Sequence, residues 1–175
     1  MSAAPSNAEA AVYLGLGSNM GDKAAHLREA VRRLESLGVV EALSSLYRTE
    51  PVGFADQDWF LNAAACLRTS RSPREVLEEA LQIEHAMGRV RTIKNGPRTI
   101  DIDLLLYGEE IRNEPGLCLP HPRISERLFV LVPLAEIAPH LRHPALNRTI
   151  AALRDARAGE GGVEWVGAFA PEGVG

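Results

Sequence analysis

Two aspartates stand two residues apart in an apolar, β-branched stretch of the sequence, at Asp101 and Asp103. Side chains alternate across a strand, so these two carboxylates would share one face while Ile100, Ile102 and Leu104 pack into the core. A rise of roughly 3.3 Å per residue puts their Cα atoms about 6.6 Å apart, which suits carboxylates that hold two divalent cations about 3.5–4 Å from each other. The pattern indicates Mg²⁺, which is often held by one or two carboxylates together with substrate phosphates.

A cluster of basic residues precedes the aspartates. Four cations fall within ten residues that contain no acidic side chain: Arg89, Arg91, Lys94 and Arg98. The planar guanidinium of arginine binds phosphate oxygens in pairs and can stabilise charge on a transferring phosphoryl group. Each pattern alone is more often structural, as a solvated loop or a strand end. Together, with a Gly-Pro turn between them, they predict a metal-dependent phosphoryl-transfer site.

The composition excludes several other classes of protein. The chain has 175 residues, a net charge of −4 and an apolar fraction of 46%, which fits one domain with a proper core. A nucleic-acid-binding protein would carry a basic stripe, so the local positive charge indicates a small anionic substrate instead. No apolar run approaches the roughly 20 residues of a membrane span, and residues 1–10 lack the pattern of a secretory signal. We therefore expect a cytoplasmic protein that binds neither membranes nor nucleic acid; its protein partners are unknown.

The elements that must position these residues follow from the hydrophobic periodicity. The second helix has the clearest start, because Ser72-Pro73-Arg74-Glu75 combines an N-cap serine, an N1 proline and a capping-box glutamate. The predicted strands cover residues 11–17, 39–48, 59–69, the aspartate segment and an edge strand at 163–169. The predicted helices cover residues 21–38, 72–88, 125–138 with a break or kink near Pro133, and 148–158.

The order β-α-β-β-α-β predicts a ferredoxin-like α+β sandwich, in which helices pack on a mostly antiparallel sheet. Residues 11–158 are expected to form the domain, between a disordered tail at 1–10 and a C-terminal tail at 159–175. The glycines from Gly15 to Gly21 do not have dinucleotide-binding spacing, and we interpret them as a tight turn that leads to an Asn19 or Asp22 cap. Cys66 and Cys118 lack metal-ligand spacing, so both are expected to be small core residues, although Cys118 lies close to predicted site residues.

Seven motifs between about Tyr13 and Pro144 occur in one order. They are Y-L-G-L-G-S-N-M-G-D, Y-R-T-E-P-V-G, F-L-N-A-A, G-R-V-R, G-P-R-T-I-D-I-D-L-L-L-Y-G, L-P-H-P-R and R-L-F-V-L-V-P-L. This set closely resembles the 6-hydroxymethyl-7,8-dihydropterin pyrophosphokinases of folate biosynthesis. The resemblance implies a ferredoxin-like fold and transfer of the β,γ-diphosphate of ATP to the hydroxymethyl group of the pterin, which leaves AMP.

The resemblance also implies roles for individual residues. Asp101 and Asp103 are expected to hold two Mg²⁺ ions that bridge the ATP phosphates, with Asp101 near the attacking hydroxyl. Arg89 and Arg98 are expected to contact the phosphoryl groups that are transferred. The implied ATP-binding residues are Glu84, Arg91, Ile102, His121 and Arg127.

A flat heterocycle such as a pterin needs aromatic faces around its ring and hydrogen-bonding groups at its edge. By resemblance, Phe60 and Phe129 stack on the ring and Asn62 reads its edge. The rest of this wall is implied to come from Thr49, Pro51, Val52 and Gly53. Without the family pattern, the two phenylalanines would be read as core packing. Two other functions remain open, a kinase that moves a single phosphate and a non-catalytic ferredoxin-like binding module.

Overall fold

The computed structural model describes residues 8–50, 58–88 and 99–169. Eight strands lie in this part of the chain: Ala10–Ser18 (β1), Gly38–Leu43 (β2), Leu46–Thr49 (β3), Phe60–Thr69 (β4), Asp101–Tyr107 (β5), Arg112–Glu114 (β6), Leu117–Leu119 (β7) and Val163–Gly167 (β8). The α-helices are Lys23–Leu34 (α1), Pro73–Ala86 (α2), Leu128–Ile137 (α3) and Ile150–Asp155 (α4), and a 3₁₀ helix covers Ile124–Glu126. No helix in the described ranges is long and apolar enough to cross a membrane.

The main sheet is antiparallel and has the strand order β5-β1-β4-β3-β8, with β2 also paired to β4. Strand β4 separates β1 from β3, and β1 separates β4 from β5, so each helical crossover spans an intervening antiparallel strand. This is the arrangement of a ferredoxin-like sandwich. The predicted α+β fold is confirmed.

Helices cover both faces of the sheet. On one face, α1 and α2 bury Leu27, Val31 and Ile83 against the inward side chains of β1, β4 and β5. On the other face, α3 and α4 pack Leu131 and Leu153 in a second apolar cluster. Strand β4 therefore lies between two layers, which explains why its side chains are buried from Leu61 to Leu67.

The helix starts follow local sequence rules. The Ser72 hydroxyl accepts the backbone N–H of Glu75, and the Glu75 carboxylate accepts that of Ser72, so the predicted capping box is present. The Asp22 side chain accepts the N–H of Ala25 and caps α1. Gly21, with φ of 63°, makes the turn just before this cap.

Two predicted elements are divided differently in the structure. The predicted strand 39–48 is two strands, because Ser44 turns to the main chain of β4: its N–H donates to the Ala64 carbonyl, and its hydroxyl accepts the Ala64 N–H. The predicted helix 125–138 is interrupted at Arg127 rather than at Pro133. Pro133 is buried inside α3, where its apolar contacts offset the one helical hydrogen bond that it cannot donate.

Two predicted elements are shorter than expected. The last helix covers only Ile150–Asp155, after the Thr149 hydroxyl accepts the N–H of Ala152 as its cap. The predicted edge strand ends at Gly167. It pairs with β3 at the end of the sheet, so the C-terminal tail contributes a strand to the main sheet.

Candidate active site

Asp101 and Asp103 project from the same face of β5, as their spacing predicts. Both are half-buried, whereas Ile102 and Leu104 are buried on the opposite face. In the sheet register Asp101 lies beside Gly17 and Asp103 beside Gly15. The two carboxylates therefore adjoin two glycines of β1, which present no side chain to this face.

Gly15 and Gly17 form the floor of the site. They lie within β1, as the predicted strand 11–17 requires, and the predicted tight turn comes after them, at Gly21. A Cβ added at Gly17 would come within 2.7 Å of Oδ1 of Asn62, closer than two such atoms can pack. Asn62 is the β4 partner of Gly17, which places Asp101, Gly17 and Asn62 in one row across three strands.

A cavity of about 450 Å³, which we call the aromatic cavity, opens on this floor. Its walls include Phe60 and Phe129, the predicted stacking pair. The Asn62 side-chain amide donates to the Thr49 hydroxyl at 2.6 Å in a buried contact. This hydrogen bond fixes the orientation of the amide whose predicted role is to read the edge of a ring. The aromatic cavity thus brings together all four predicted pterin residues that the structure describes.

A second cavity, of about 470 Å³, lies on the side of β5 that faces α2, and we call it the Glu84 cavity. Glu84 and His121, two of the predicted ATP-binding residues, line it together with Ile102. Glu84 is 2% exposed, and its carboxylate accepts the backbone N–H of Ile102 at 2.7 Å. Ile102 is the residue between the two aspartates, so this hydrogen bond ties the aspartate segment to α2.

His121 presents a hydrogen-bond donor to the Glu84 cavity. Its Nδ1 accepts the backbone N–H of Arg123 at 3.1 Å, so in the neutral ring the proton lies on Nε2. Burial lowers the pKa of the imidazole, and the positive charges of Arg127 and Arg123 lower it further, although Asp101 acts in the opposite direction. The neutral tautomer that carries its proton on Nε2 is therefore the favoured state at neutral pH.

Asp101, Asp103 and Arg127 line both cavities. The Arg127 guanidinium also stacks 5.5 Å from the centre of the Phe129 ring, a distance at which a cation is attracted to an aromatic face. Two carboxylates and one cation thus stand where the two cavities meet. A group held in one cavity would reach a group held in the other at this junction.

Several predicted residues lie outside the described part of the chain. They are Pro51, Val52, Gly53, Arg89, Arg91 and Arg98. Their roles stay predictions. One described residue corrects an expectation, since Cys118 is an exposed residue that lines the Glu84 cavity instead of a small core residue. Cys66 is buried, as expected.

Sequence reasoning missed part of the aromatic cavity. Arg123, just before the 3₁₀ helix, and Glu126, at its end, line this cavity, as do residues 160–163, which lead into β8. The position of Arg123 and Glu126 close to Arg127, a predicted site residue, could have indicated them. For residues 160–163 the sequence offers only a glycine-rich turn ahead of a strand.

Comparison with known proteins agrees with this geometry. The family model of the 7,8-dihydro-6-hydroxymethylpterin-pyrophosphokinases matches residues 13–139, which is most of the chain. The chain belongs to this family. The predicted family membership is confirmed.

Curated relatives of the family carry the same name. The 2-amino-4-hydroxy-6-hydroxymethyldihydropteridine pyrophosphokinase of Methylorubrum extorquens is 57% identical over 132 residues, which cover 74% of this chain and 83% of the relative. The enzyme of that name from Bacillus subtilis is 47% identical over 137 residues, which cover 77% of this chain and 82% of the relative.

Solved structures support the fold. A Plasmodium falciparum HPPK-DHPS structure with pterin and p-hydrobenzoate matches with a TM-score of 0.69 and 18% identity. The match covers 90% of this chain and 46% of that one, so this chain spans less than half the length of the solved protein. At 18% identity this likeness supports the fold alone.

Proposed function

We propose that the chain transfers a diphosphate group from ATP to the hydroxymethyl group of 6-hydroxymethyl-7,8-dihydropterin and releases AMP. Pyrophosphoryl transfer to this pterin, in folate biosynthesis, is the activity of the family to which the chain belongs. In our proposal the pterin occupies the aromatic cavity and ATP the Glu84 cavity. A cytoplasmic location and a domain that covers residues 11–158 stay predictions.

One observation supports this division above the others: Asp101, Asp103 and Arg127 line both cavities. A transfer between two substrates needs their reacting atoms close together and in line. Two cavities that share a wall of charged side chains meet this need. The shared wall also contains the groups that a phosphoryl transfer requires, namely carboxylates for a cation and a guanidinium for phosphate oxygens.

The aspartates fit Mg²⁺ by their chemistry and position. They are half-buried oxygen donors on one face of a strand, next to two glycines that leave space in front of them. Among the described residues, no group of three or more His, Cys, Asp or Glu side chains could hold a metal. Two carboxylates with substrate phosphates and water are a common ligand set for Mg²⁺. We propose that Asp101 and Asp103 hold two such ions, which would neutralise the charge of the triphosphate when bound.

The reaction is a displacement at the β-phosphorus of ATP. The hydroxymethyl oxygen forms a bond to this phosphorus while the bond from phosphorus to the α,β-bridging oxygen breaks, and the hydroxyl proton passes to water. AMP leaves with the electron pair of the broken bond. The chemistry asks the protein mainly for positioning and charge stabilisation, so no nucleophilic side chain is needed.

The residues of the aromatic cavity would orient the pterin. Phe60 and Phe129 offer faces to the ring, and Asn62, fixed by Thr49, offers an amide to its edge. Asp101 stands in the shared wall, where its carboxylate can accept a hydrogen bond from the hydroxymethyl group. This contact would aim the hydroxyl oxygen towards the Glu84 cavity.

The residues of the Glu84 cavity would orient the nucleotide. The Nε2–H of His121 and the guanidinium of Arg127 are donors for phosphate oxygens. Glu84 keeps the aspartate segment in place through Ile102. Arg89, Arg91 and Arg98, outside the described residues, stay predicted partners of the phosphates.

The nucleotide product tests this proposal. The purified protein is incubated with ATP, Mg²⁺ and 6-hydroxymethyl-7,8-dihydropterin, and nucleotides are separated by ion-exchange chromatography. We expect AMP and the pterin diphosphate in equal amounts, and none of either without the pterin. ADP as the product would indicate transfer of a single phosphate, and no turnover would indicate a binding module. Either result would overturn the proposal.

A further inference from the structure

Residues 160–163 form a wall of the aromatic cavity that lies outside the part of the chain with the family pattern. Glu160, Gly161, Gly162 and Val163 all line this cavity. The match to the family model ends at residue 139, well before this segment. The family pattern therefore assigns this wall no function.

The sheet register fixes one end of the wall. Val163, the first residue of β8, pairs with Thr49 of β3, and Thr49 pairs with Phe60 of β4. Directly paired residues on neighbouring antiparallel strands point to the same face. Val163 thus continues the row that begins with Phe60, and its half-buried side chain extends the apolar surface available to a flat ring.

Arg157 ties the other end of the wall to the 3₁₀ helix. Its Nε donates to the carbonyl of Ser125, and its Nη1 lies 3.1 and 3.0 Å from the two carboxylate oxygens of Glu160. Ser125 stands between Arg123 and Glu126, which line the same cavity. One guanidinium therefore joins two separate walls of the aromatic cavity.

The backbone between these two ends suits close approach to a ligand. Gly161 and Gly162 have φ angles of 71° and 86°, a region that favours glycine. Both glycines line the aromatic cavity, and a Cβ added at either would meet no protein atom within 4 Å, so their main chain is not covered by side chains. Bare main chain can offer N–H and C=O groups to the polar edge of a heterocycle.

We propose that residues 160–163 are a further part of the pterin-binding site, with Val163 in contact with the ring and Arg157 as a positioning residue. This proposal rests on the proposed function, because it takes the aromatic cavity as the pterin site. It implies that changes in the segment alter the KM for the pterin and leave the KM for ATP unchanged.

A matched pair of tryptophan substitutions in β8 tests the contact. Val163→Trp places an indole in the cavity, whereas Val166→Trp places one further along the same strand, where Val166 is 49% exposed and lines neither cavity. We expect Val163→Trp to raise the pterin KM by about tenfold or more through overpacking, with the ATP KM within about twofold. Val166→Trp should alter neither constant. A Val163→Trp protein whose pterin KM matches the wild type would overturn the proposal.

A second pair tests the positioning role and does not depend on the first variant folding. Arg157→Gln removes the contacts of Arg157 with Ser125 and Glu160. Arg154→Gln removes an exposed contact with Asp155, its neighbour on α4. We expect Arg157→Gln to raise the pterin KM about three- to tenfold with little change in kcat, and Arg154→Gln to have no such effect. Equal constants for the two variants would contradict the positioning role.

An assay of the wild-type protein distinguishes failure of the proposed function from failure of the role of residues 160–163. If it forms no AMP from ATP and the pterin, the proposed function itself fails. If it forms AMP normally while Val163→Trp and Arg157→Gln keep the wild-type pterin KM, only the role of residues 160–163 fails. Thermal melting of each variant distinguishes a local effect from unfolding.

Discussion

The buried carboxylate of Glu84 accepts the backbone N–H of Ile102 at 2.7 Å, between the two aspartates of β5. A helix thereby holds the strand segment that carries the candidate metal ligands. The contact joins Glu84 of α2 to Ile102 of β5, which are 18 positions apart in the chain. The position of Asp101 and Asp103 therefore depends on how α2 docks on the sheet.

Removal of this acceptor should weaken both the fold and the site. In Glu84→Ala the buried N–H of Ile102 loses its partner, which should lower the free energy of unfolding by about 1–3 kcal/mol. Denaturant titration measures this loss, and AMP release measures the effect on the site. Glu78→Ala, an exposed change on the same helix, is the control. Equal stability of the two variants would show that the hydrogen bond has no structural role.

The two glycines of β1 offer a test of the cavity floor. In Gly17→Ala the new methyl group would meet Oδ1 of Asn62 at 2.7 Å and push that amide away from its position. We expect the pterin KM to rise by about five- to thirtyfold, since overpacking of this kind costs about 1–2 kcal/mol. In Gly15→Ala the nearest atoms to the new methyl group would be those of Leu105 and Asp103 at 3.5–3.8 Å, an ordinary contact distance. A similar pterin KM in both variants would argue against the role of Asn62.

Local sequence rules predicted the parts of the site that a single strand or helix determines. The alternation of a strand placed Asp101 and Asp103 on one face. The capping box at Ser72 placed the start of α2 correctly. The family pattern supplied Phe60, Asn62 and Phe129, which share one cavity in the structure.

Contacts between distant segments could not be predicted in the same way. The role of Gly17 depends on Asn62 of β4, and the break after β2 depends on hydrogen bonds of Ser44 to Ala64. The wall at residues 160–163 depends on the pairing of β8 with β3, more than 100 positions earlier in the chain. Sequence periodicity describes each segment alone, whereas these features arise when segments meet.

A pH-dependent stabilisation is expected at Glu136, which joins α3 to the start of β3. Its carboxylate accepts the Tyr47 hydroxyl at 2.6 Å and the Ser45 N–H and hydroxyl at 2.9 Å. Burial opposes the charge, but these hydrogen bonds outweigh it and lower the pKa of Glu136 below its ordinary value of 4.5. A lowered carboxyl pKa stabilises the fold above pH 4.5, and this contribution is lost as the pH falls through the folded-state pKa.

Glu136→Gln should therefore destabilise the protein at neutral pH and have less effect in acid. Because the side chain is exposed on one side, we expect the substitution to lower the free energy of unfolding by at most about 1 kcal/mol at pH 7. Unfolding curves of the wild type and the variant from pH 7 to pH 3 measure the difference, with exposed Glu109→Gln as the control. A difference that stays constant down to pH 3 would show that the charge of Glu136 makes no contribution.

The central claim is that Asp101 and Asp103 stand at the junction of two substrate cavities and hold the metal there. Asp103→Asn keeps the size of the side chain and removes its charge, and Asp155→Asn, an exposed change on α4, is the control. The direct measurement is the rate of AMP release from ATP and the pterin as a function of Mg²⁺ concentration. We expect Asp103→Asn to lose about a hundredfold or more in rate at saturating Mg²⁺, since several kcal/mol of charge stabilisation are removed. A wild-type rate and a wild-type Mg²⁺ dependence in Asp103→Asn would contradict the claim.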